Sequence, residues 1–485
     1  MRARLCLLLL AFAPLCAVVL AREQTAAVIS HSVVGSATYI THVTVVDTEA
    51  GKEMQDRTVI ISSDRISEVR GSDGIKPPAG AKVVDGNGKY LIPGLWDMHV
   101  HSVHAERLDS MFPLFVANGV LGIRDMGTPM PLAEIARLRQ QTANGSLLGP
   151  RIVAAGPVLD GRPKPTRAQF LAITTPDEGR DTVRRLKIGG ADFIKVYSNL
   201  SRDSYLAIVD EAHKQNIPFA GHVPFSVSAL EASDAGQKSM EHLWGIYLSC
   251  SSREEELRSE MLKGGVNLSG SERIRLELDE AAASYDEPKA ANVFAHLAKN
   301  GTWLVPNFSA VLRDSEIFDV HVTTDPRLKY IPPAIQKSWG EAASAGPAIK
   351  GKSYDRKLQV VGVMHRAGVP LLAGTDAGWV QPYVYAGFSL HDELASLVRA
   401  GLTPMESLQT ATINPARFLG MEKDLGTIEA GKVANLVLLD ADPLADIHNT
   451  TRISEVFLAG REFDRAELDH MLKSAEAAAT SAPIN

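Results

Sequence analysis

Between residues 95 and 375, short apolar runs alternate with stretches of helical periodicity. The runs fall at 95–101, 119–124, 151–155, 192–197, 218–222, 239–242, 303–306 and 370–375, and the helical patterns between them include 176–187, 202–215 and 357–367. Parallel strands need a crossover of a dozen or more residues, usually a helix, so this rhythm implies a parallel sheet covered by helices. Eight such runs is the count that closes a β/α barrel. The expected fold class is therefore α/β, a TIM (β/α)8 barrel over residues 93–416. Two longer charged helical stretches, at 251–300 and 313–356, read as elaborations on the barrel rim.

The two ends of the chain have another character. Residues 39–46 and 58–61 alternate β-branched and polar side chains between Gly51, Gly71, Gly74 and the pair Pro77-Pro78, and a similar pattern returns at 436–439 and 453–458. A strand period bounded by turn residues at both ends predicts one small β-sandwich domain made from 22–92 and 417–470 together. Residues 471–485 read as a small, polar, frayed tail.

The first 21 residues pair a basic start, Met1-Arg2-Ala3-Arg4, with an apolar run from 5 to 20, and Val19 and Ala21 suit a cleavage site before Arg22. That is the pattern of a secretory signal, and it predicts a periplasmic or secreted protein with no stable membrane span after cleavage. Lipidation at Cys16 is a poorer fit, because no small residue precedes that cysteine. Cleavage removes Cys6 and Cys16 and leaves Cys250, which cannot form an internal bridge and reads as a small buried hydrophobe. The net charge of -7 is spread over 50 basic and 57 acidic residues. No basic run interleaved with aromatics appears, which excludes the usual footprint of a nucleic-acid partner.

Chemistry concentrates where the apolar runs end. In Trp96-Asp97-Met98-His99-Val100-His101, strand alternation turns His99 and His101 to one face, where both can ligate a divalent metal. Taken alone, His-x-His equally suits a hydrogen-bonded core pair. The other runs end in the same way: Lys195 within 192–197, His222 after Phe219-Ala220-Gly221, His242 after Met240-Glu241, and Asp376 after 371–375. Barrel enzymes place their catalytic groups at C-terminal strand ends. Phe193, Lys195 and Tyr197 share a face. A spectator lysine and a packed tyrosine are the alternative readings for the last two. His104 lies past the strand, on the rim.

These motifs resemble the amidohydrolase superfamily over nearly the whole chain. The resemblance runs from Val84-Asp85-Gly86 and Leu91-Ile92-Pro93-Gly94 through His101, then Gly374-Thr375-Asp376-Ala377-Gly378, to Asn414-Pro415-Ala416-Arg417 and Gly426-Thr427-Ile428-Glu429-Ala430-Gly431. Ala220-Gly221-His222-Val223-Pro224 with Ile194-Lys195-Val196-Tyr197 is most similar to the imidazolonepropionase-like and Xaa-Pro dipeptidase-like branch. The resemblance implies that His99, His101 and Asp376 hold one divalent metal, zinc for preference, and that His222 and His242 hold a second. Lys195 would bridge the two as a carbamate; unmodified, it would leave a single metal. Asp376 would serve as general acid and base, and Tyr197 as a donor to the oxyanion.

The implied activity is hydrolysis of C–N bonds in a small amide or peptide, dipeptides or N-acyl amino acids first, by a metal-activated hydroxide. Val223-Pro224-Phe225-Ser226 supplies no glutamate after His222, which argues against deamination. Arg162, Tyr383, Tyr385 and His391 are candidates to receive a substrate carboxylate. The runner-up is a one-metal hydrolase of cyclic amides, and a metal-free binding protein on the same fold is the non-enzyme alternative. A homo-oligomer is compatible with either enzyme.

Overall fold

In the computed structural model, the described residues are 37–162, 167–268, 272–273, 275–310, 324–344, 351–379 and 381–481, all within one compact unit. The expected signal segment and its two cysteines lie outside them, as does part of the second rim insertion.

Strands from both chain ends build one sheet. From the first end come β1 (Thr38–Asp47), β2 (Lys52–Ser62), β3 (Arg65–Gly71), β4 (Lys82–Asp85) and β5 (Tyr90–Pro93). The second end supplies β15 (Leu436–Leu439), β16 (Ile453–Leu458) and β17 (Arg461–Phe463). The order is β17-β16-β15-β5-β1-β2-β3, with β4 also pairing β1, and the join is antiparallel, Leu436 opposite Pro93 and Leu439 opposite Tyr90. Ile40, Val43, Val59, Ile66, Leu436 and Phe457 bury one face of this sheet as a cluster.

Residues 95–305 supply two parallel sheets. One is β6 (Leu95–Val100), β7 (Val120–Asp125) and β8 (Arg151–Ala154). The other runs β10-β9-β11-β12-β13-β14. Its members are β9 (Val158–Asp160), β10 (Phe170–Ala172), β11 (Ile194–Val196), β12 (Phe219–Gly221), β13 (Ser239–Glu241) and β14 (Trp303–Val305). β9 and β10 are additions to the expected eight runs, and β9 rather than β8 pairs with β11. The eighth expected run forms no strand ladder. Residues 371–377 instead make single parallel bridges, Leu371 to Leu304 and Ala377 to Val100. Leu372 N donates to Leu304 O at 3.0 Å and Met98 N to Ala373 O at 2.9 Å, so this segment joins β14 to β6. Across the other seam Asp192 N donates to Ala154 O at 3.0 Å.

Strand alternation sorts the side chains. Ile194 and Val196 enter the main core with the helices, whereas Phe193 joins Met98, Val153, Ala220 and Leu372 in a separate inner cluster. Helix starts carry their own chemistry: Thr175 and Glu178 form a reciprocal capping box on Pro176–Gly189, and Thr403 and Glu406 another on Pro404–Thr410. Cys250 is fully buried, and burial pushes its thiol up, which fits an inert packing residue.

The tail departs from expectation. Residues 465–481 form one helix, Arg465–Ser481, which packs on Leu108–Ala117. Its buried positions Leu468, Met471, Ala475 and Ala479 recur at helical spacing. Three alanines in a row give a weak apolar stripe, yet alanine is the best helix former and needs only a neighbour to cover it.

Candidate active site

The polar residues at the strand ends converge on one cavity of about 160 Å³. His99 sits within β6 and His101 one residue past it; Lys195 lies in the middle of β11; His222 and His242 directly follow β12 and β13. Asp376 comes from the segment that joins β14 to β6, and Tyr197 lies just beyond β11. All seven line the cavity.

Asp376 is the hub. Its Oδ1 stands 3.5 Å from His99 Nε2 and 3.3 Å from His101 Nε2, while Oδ2 is 3.8 Å from His242 Nε2. One ligand atom from each of His99, His101 and Asp376 falls within 4.8 Å of the others. The His222 ring lies 5.1 Å from that of His242 and stacks on Tyr197 at 4.1 Å. Two of these residues hold left-handed backbone, His242 at φ 63° and Asp376 at φ 66°. Such strain costs about 1 kcal/mol or more per residue and collects at functional sites. Gly221 permits the close approach before His222, since a Cβ there would lie 2.1 Å from Val196 O.

The donor set fits a metal. His99 Nε2 and Lys195 Nζ are buried with no hydrogen-bond partner, an unfavourable state that a bound cation or a covalent change would relieve. Burial, reinforced by Lys195, holds His99 and His222 well below the usual imidazole range, and burial does the same for His242. All three are therefore neutral, with a lone pair to give. Burial also pulls the Lys195 amine down to about 8 and pushes the Asp376 carboxyl up.

A second layer fixes the first. His99 Nδ1 meets Glu241 Oε2 at 2.7 Å, and Arg124 Nη2 donates to Glu241 Oε1 at 3.0 Å. His101 Nδ1 donates to Gly127 O at 2.9 Å, and Ser198 Oγ meets His222 Nδ1 at 2.8 Å. Asp97 accepts from His99 N, Thr375 N and Thr375 Oγ1, tying β6 to the Asp376 segment. Gln381 donates to Asp376 Oδ2 at 3.0 Å. Asp97, Thr375, Glu241 and Arg124 stand inside the stretches quoted from the sequence, but sequence reasoning gave none of them this supporting role, and it missed Gly127, Ser198 and Gln381 altogether.

The four expected carboxylate receivers do not reach the cavity. His391 is buried between Thr450 Oγ1 and Asn118 O, and burial pulls it down to about 4. Tyr383 and Tyr385 pack with Ile331 and Trp339 in a separate cluster, and Arg162 pairs with Asp160 at 3.9 Å. Arg167 and Arg273 line the cavity instead.

Neutral imidazoles and an aspartate gathered at the C-terminal ends of parallel strands define a class, the metal-dependent hydrolases of α/β build. The particular family follows from comparison: the Amidohydrolase family profile matches residues 90–463, and the chain belongs to that family. It is accordingly a hydrolase acting on C–N bonds. The chain is 24% identical over 473 residues to the ochratoxinase of Aspergillus niger, covering 85% of this chain and 84% of the relative. It is 23% identical over 404 residues to a 5-methylthioadenosine/S-adenosylhomocysteine deaminase of Symbiobacterium thermophilum, covering 80% and 81%. Among solved structures, a Xaa-Pro dipeptidase with methionine bound in its active site is similar at a TM-score of 0.63 and 21% identity, covering 88% of this chain and all of that one. No helix among the described residues is long and apolar enough to cross a membrane.

Proposed function

We propose that the cavity is the active centre of an exported, metal-dependent amidohydrolase that cleaves the amide of dipeptides or N-acyl amino acids. The observation that carries this reading is Lys195, whose amine is buried, unpartnered and surrounded by the imidazoles and Asp376. A neutral amine in this setting adds to carbon dioxide: its lone pair forms the N–C bond, one N–H proton leaves, and a singly charged carbamate results. Carboxylated in this way, Lys195 would add two oxygen donors to the site, where His99, His101 and Asp376 would hold one divalent ion, zinc for preference, and His222 and His242 a second. We infer further that the parallel sheets close as a (β/α)8 barrel over 93–416, beside the sheet domain that strands from both chain ends build.

A divalent ion at this site supplies Lewis acidity and makes water acidic near neutral pH. The chain's own residues do the rest. Asp376 lines the cavity, where its carboxylate is placed to take a proton from the attacking water and return it to the leaving nitrogen. Tyr197 stays protonated, since burial pushes its phenol up to about 12, and it can donate to the oxygen of the tetrahedral intermediate. Stacking on His222 holds the phenol in place. The absence of a glutamate after His222 disfavours deamination, the activity named for one relative.

The test is a hydrolysis screen of the metal-loaded protein over dipeptides, N-acyl amino acids and lactams, with metal content and ¹³C-bicarbonate NMR in parallel. A carbamate carbon signal, about two metals per chain and linear substrates are expected. One metal, no carbamate signal and lactam turnover would replace this reading with the cyclic-amide hydrolase. A protein that retains no metal favours the binding protein.

A further inference from the structure

We propose that Arg273, assisted by Arg167, is the subsite that receives the substrate's α-carboxylate, and that this pair makes the enzyme select amides bearing a free carboxylate beside the scissile bond. This inference rests on the amide-hydrolase reading and assigns its specificity to named residues.

The argument begins with pairing. Most arginines near the cavity are committed: Arg124 to Glu241 at 3.0 Å, Arg258 to Glu254 at 2.6 Å, and Arg162 to Asp160. Arg273 and Arg167 line the cavity, and neither makes an ion pair among the described residues. The Nε of Arg273 is buried without a hydrogen-bond partner. Arg273 is half-buried, and a guanidinium nitrogen shut off from water without a partner is costly unless an anion arrives to pair with it. Guanidinium groups meet carboxylates through two parallel N–H bonds, which fixes orientation as well as charge.

Position supports the same conclusion. Arg273 packs its guanidinium on the Phe225 ring at 4.9 Å, which sets the plane of the fork and leaves its edges open. Both arginines lie near enough to Tyr197 to act on its charge, and Arg167 also acts on Asp376. The cationic end of the cavity is thus beside the proposed oxyanion donor. Phe170, Trp244 and Leu278 give the cavity an apolar wall for the rest of a substrate.

The mounting of Arg273 is specific. It belongs to the first rim insertion, one turn before the π-helical turn residue Glu277. Glu277 is fully buried, and its Oε1 accepts the N–H of Gly245, in the turn that follows His242. The insertion is therefore tied, four residues after Arg273, to the turn that follows His242. Glu277 acts as a positioning residue here, and the guanidinium is the contact.

The experiment uses the metal-loaded full chain and pairs of probes that differ only at the carboxylate: N-acetylphenylalanine and alanylproline against their C-terminal primary amides. The wild-type protein should prefer the acids by about 100-fold or more in kcat/KM. Arg273→Gln should collapse that acid-to-amide ratio at least tenfold, chiefly through KM, with Arg273→Lys recovering part of it and Arg167→Gln giving a smaller loss. Metal content should match the wild type in every variant, which separates the effect from misfolding. Calorimetric titration with the same four compounds reads the preference without turnover. Equal affinity for acid and amide in the wild type, or a proportional loss on both in Arg273→Gln, overturns the carboxylate subsite. Hydrolysis of the amides without acid preference leaves the amide-hydrolase reading standing, whereas selective binding of the acids with no amide cleaved sinks that reading and keeps the subsite.

Discussion

The Nδ1 of His99 lies 2.7 Å from the Glu241 carboxylate, whose other oxygen is held by Arg124 and Ser239. A carboxylate ion-paired to arginine can only accept, so the His99 proton must sit on Nδ1. The lone pair of Nε2 is thereby aimed into the cavity. The orientation of the His99 imidazole is thus set by Glu241 at the end of β13, one position before His242, which lines the same cavity.

Replacing Glu241 with glutamine should therefore weaken metal binding by about 10–100-fold, the usual cost of losing a carboxylate behind a ligating histidine. Dialysis against graded chelator, followed by elemental analysis, reads this directly. An unchanged affinity would show that the tautomer of His99 is fixed by something else.

Gly374 offers a steric test of the same assembly. A Cβ there would sit 2.6 Å from Val305 Cγ1, 2.8 Å from His99 Cβ and 2.9 Å from His99 N. Gly374→Ala should push β6 away from the Asp376 segment, costing about 1–3 kcal/mol in stability, as overpacking usually does. It should also lower metal affinity, since His99 moves with its backbone. Urea melts and chelator titration of the same sample give both numbers.

What could be read in the sequence follows from the range of the interactions. Period-two alternation placed Lys195 and Tyr197 on the face opposite Ile194 and Val196, and the structure has the first two on the cavity and the second two in the helix-side core. That signal is local and needs no partner. The bonds of Glu241 were invisible because its partners, His99 and Arg124, lie more than a hundred residues away. The same holds for His391, a polar residue on an expected rim loop that instead satisfies buried groups from two distant segments. β9 and β10 are only three residues each, too short to show a period. Arg273 carried no signal at all, since an arginine without an ion pair among the described residues looks like any other until its neighbours are known.

Glu277 predicts a pH effect on stability. Burial pushes its carboxyl up to about 7 from an ordinary 4.5, so the native state holds this proton more tightly than the unfolded chain. The sign follows: the group's contribution is fully present below pH 4.5 and is lost as pH rises through 7, with a slope of up to ~1.4 kcal/mol per pH unit between. Glu277→Gln cannot ionise and should flatten that part of the profile. Denaturant midpoints of metal-free protein at pH 5, 6 and 7 compare the two, and parallel profiles would sink the assignment.

Two roles proposed for Asp376, metal ligand and proton carrier, can be separated by substitution. Its Oδ1 faces His99 and His101, where it could ligate a cation with them, and its second oxygen is turned toward His242 and Gln381. Asp376→Asn keeps a ligand oxygen and the left-handed turn, which asparagine tolerates better than most residues, but it cannot shuttle a proton. Asp376→Ala removes both functions. If the carboxylate is the acid and base of the reaction, the asparagine variant should retain most of its metal while kcat falls by about 10²–10⁴-fold, the usual worth of general acid–base catalysis. The alanine variant should lose metal and activity together. Elemental analysis beside single-turnover kinetics distinguishes them: an asparagine variant that keeps its metal and near-normal kcat would move the proton transfer to another group on the cavity wall.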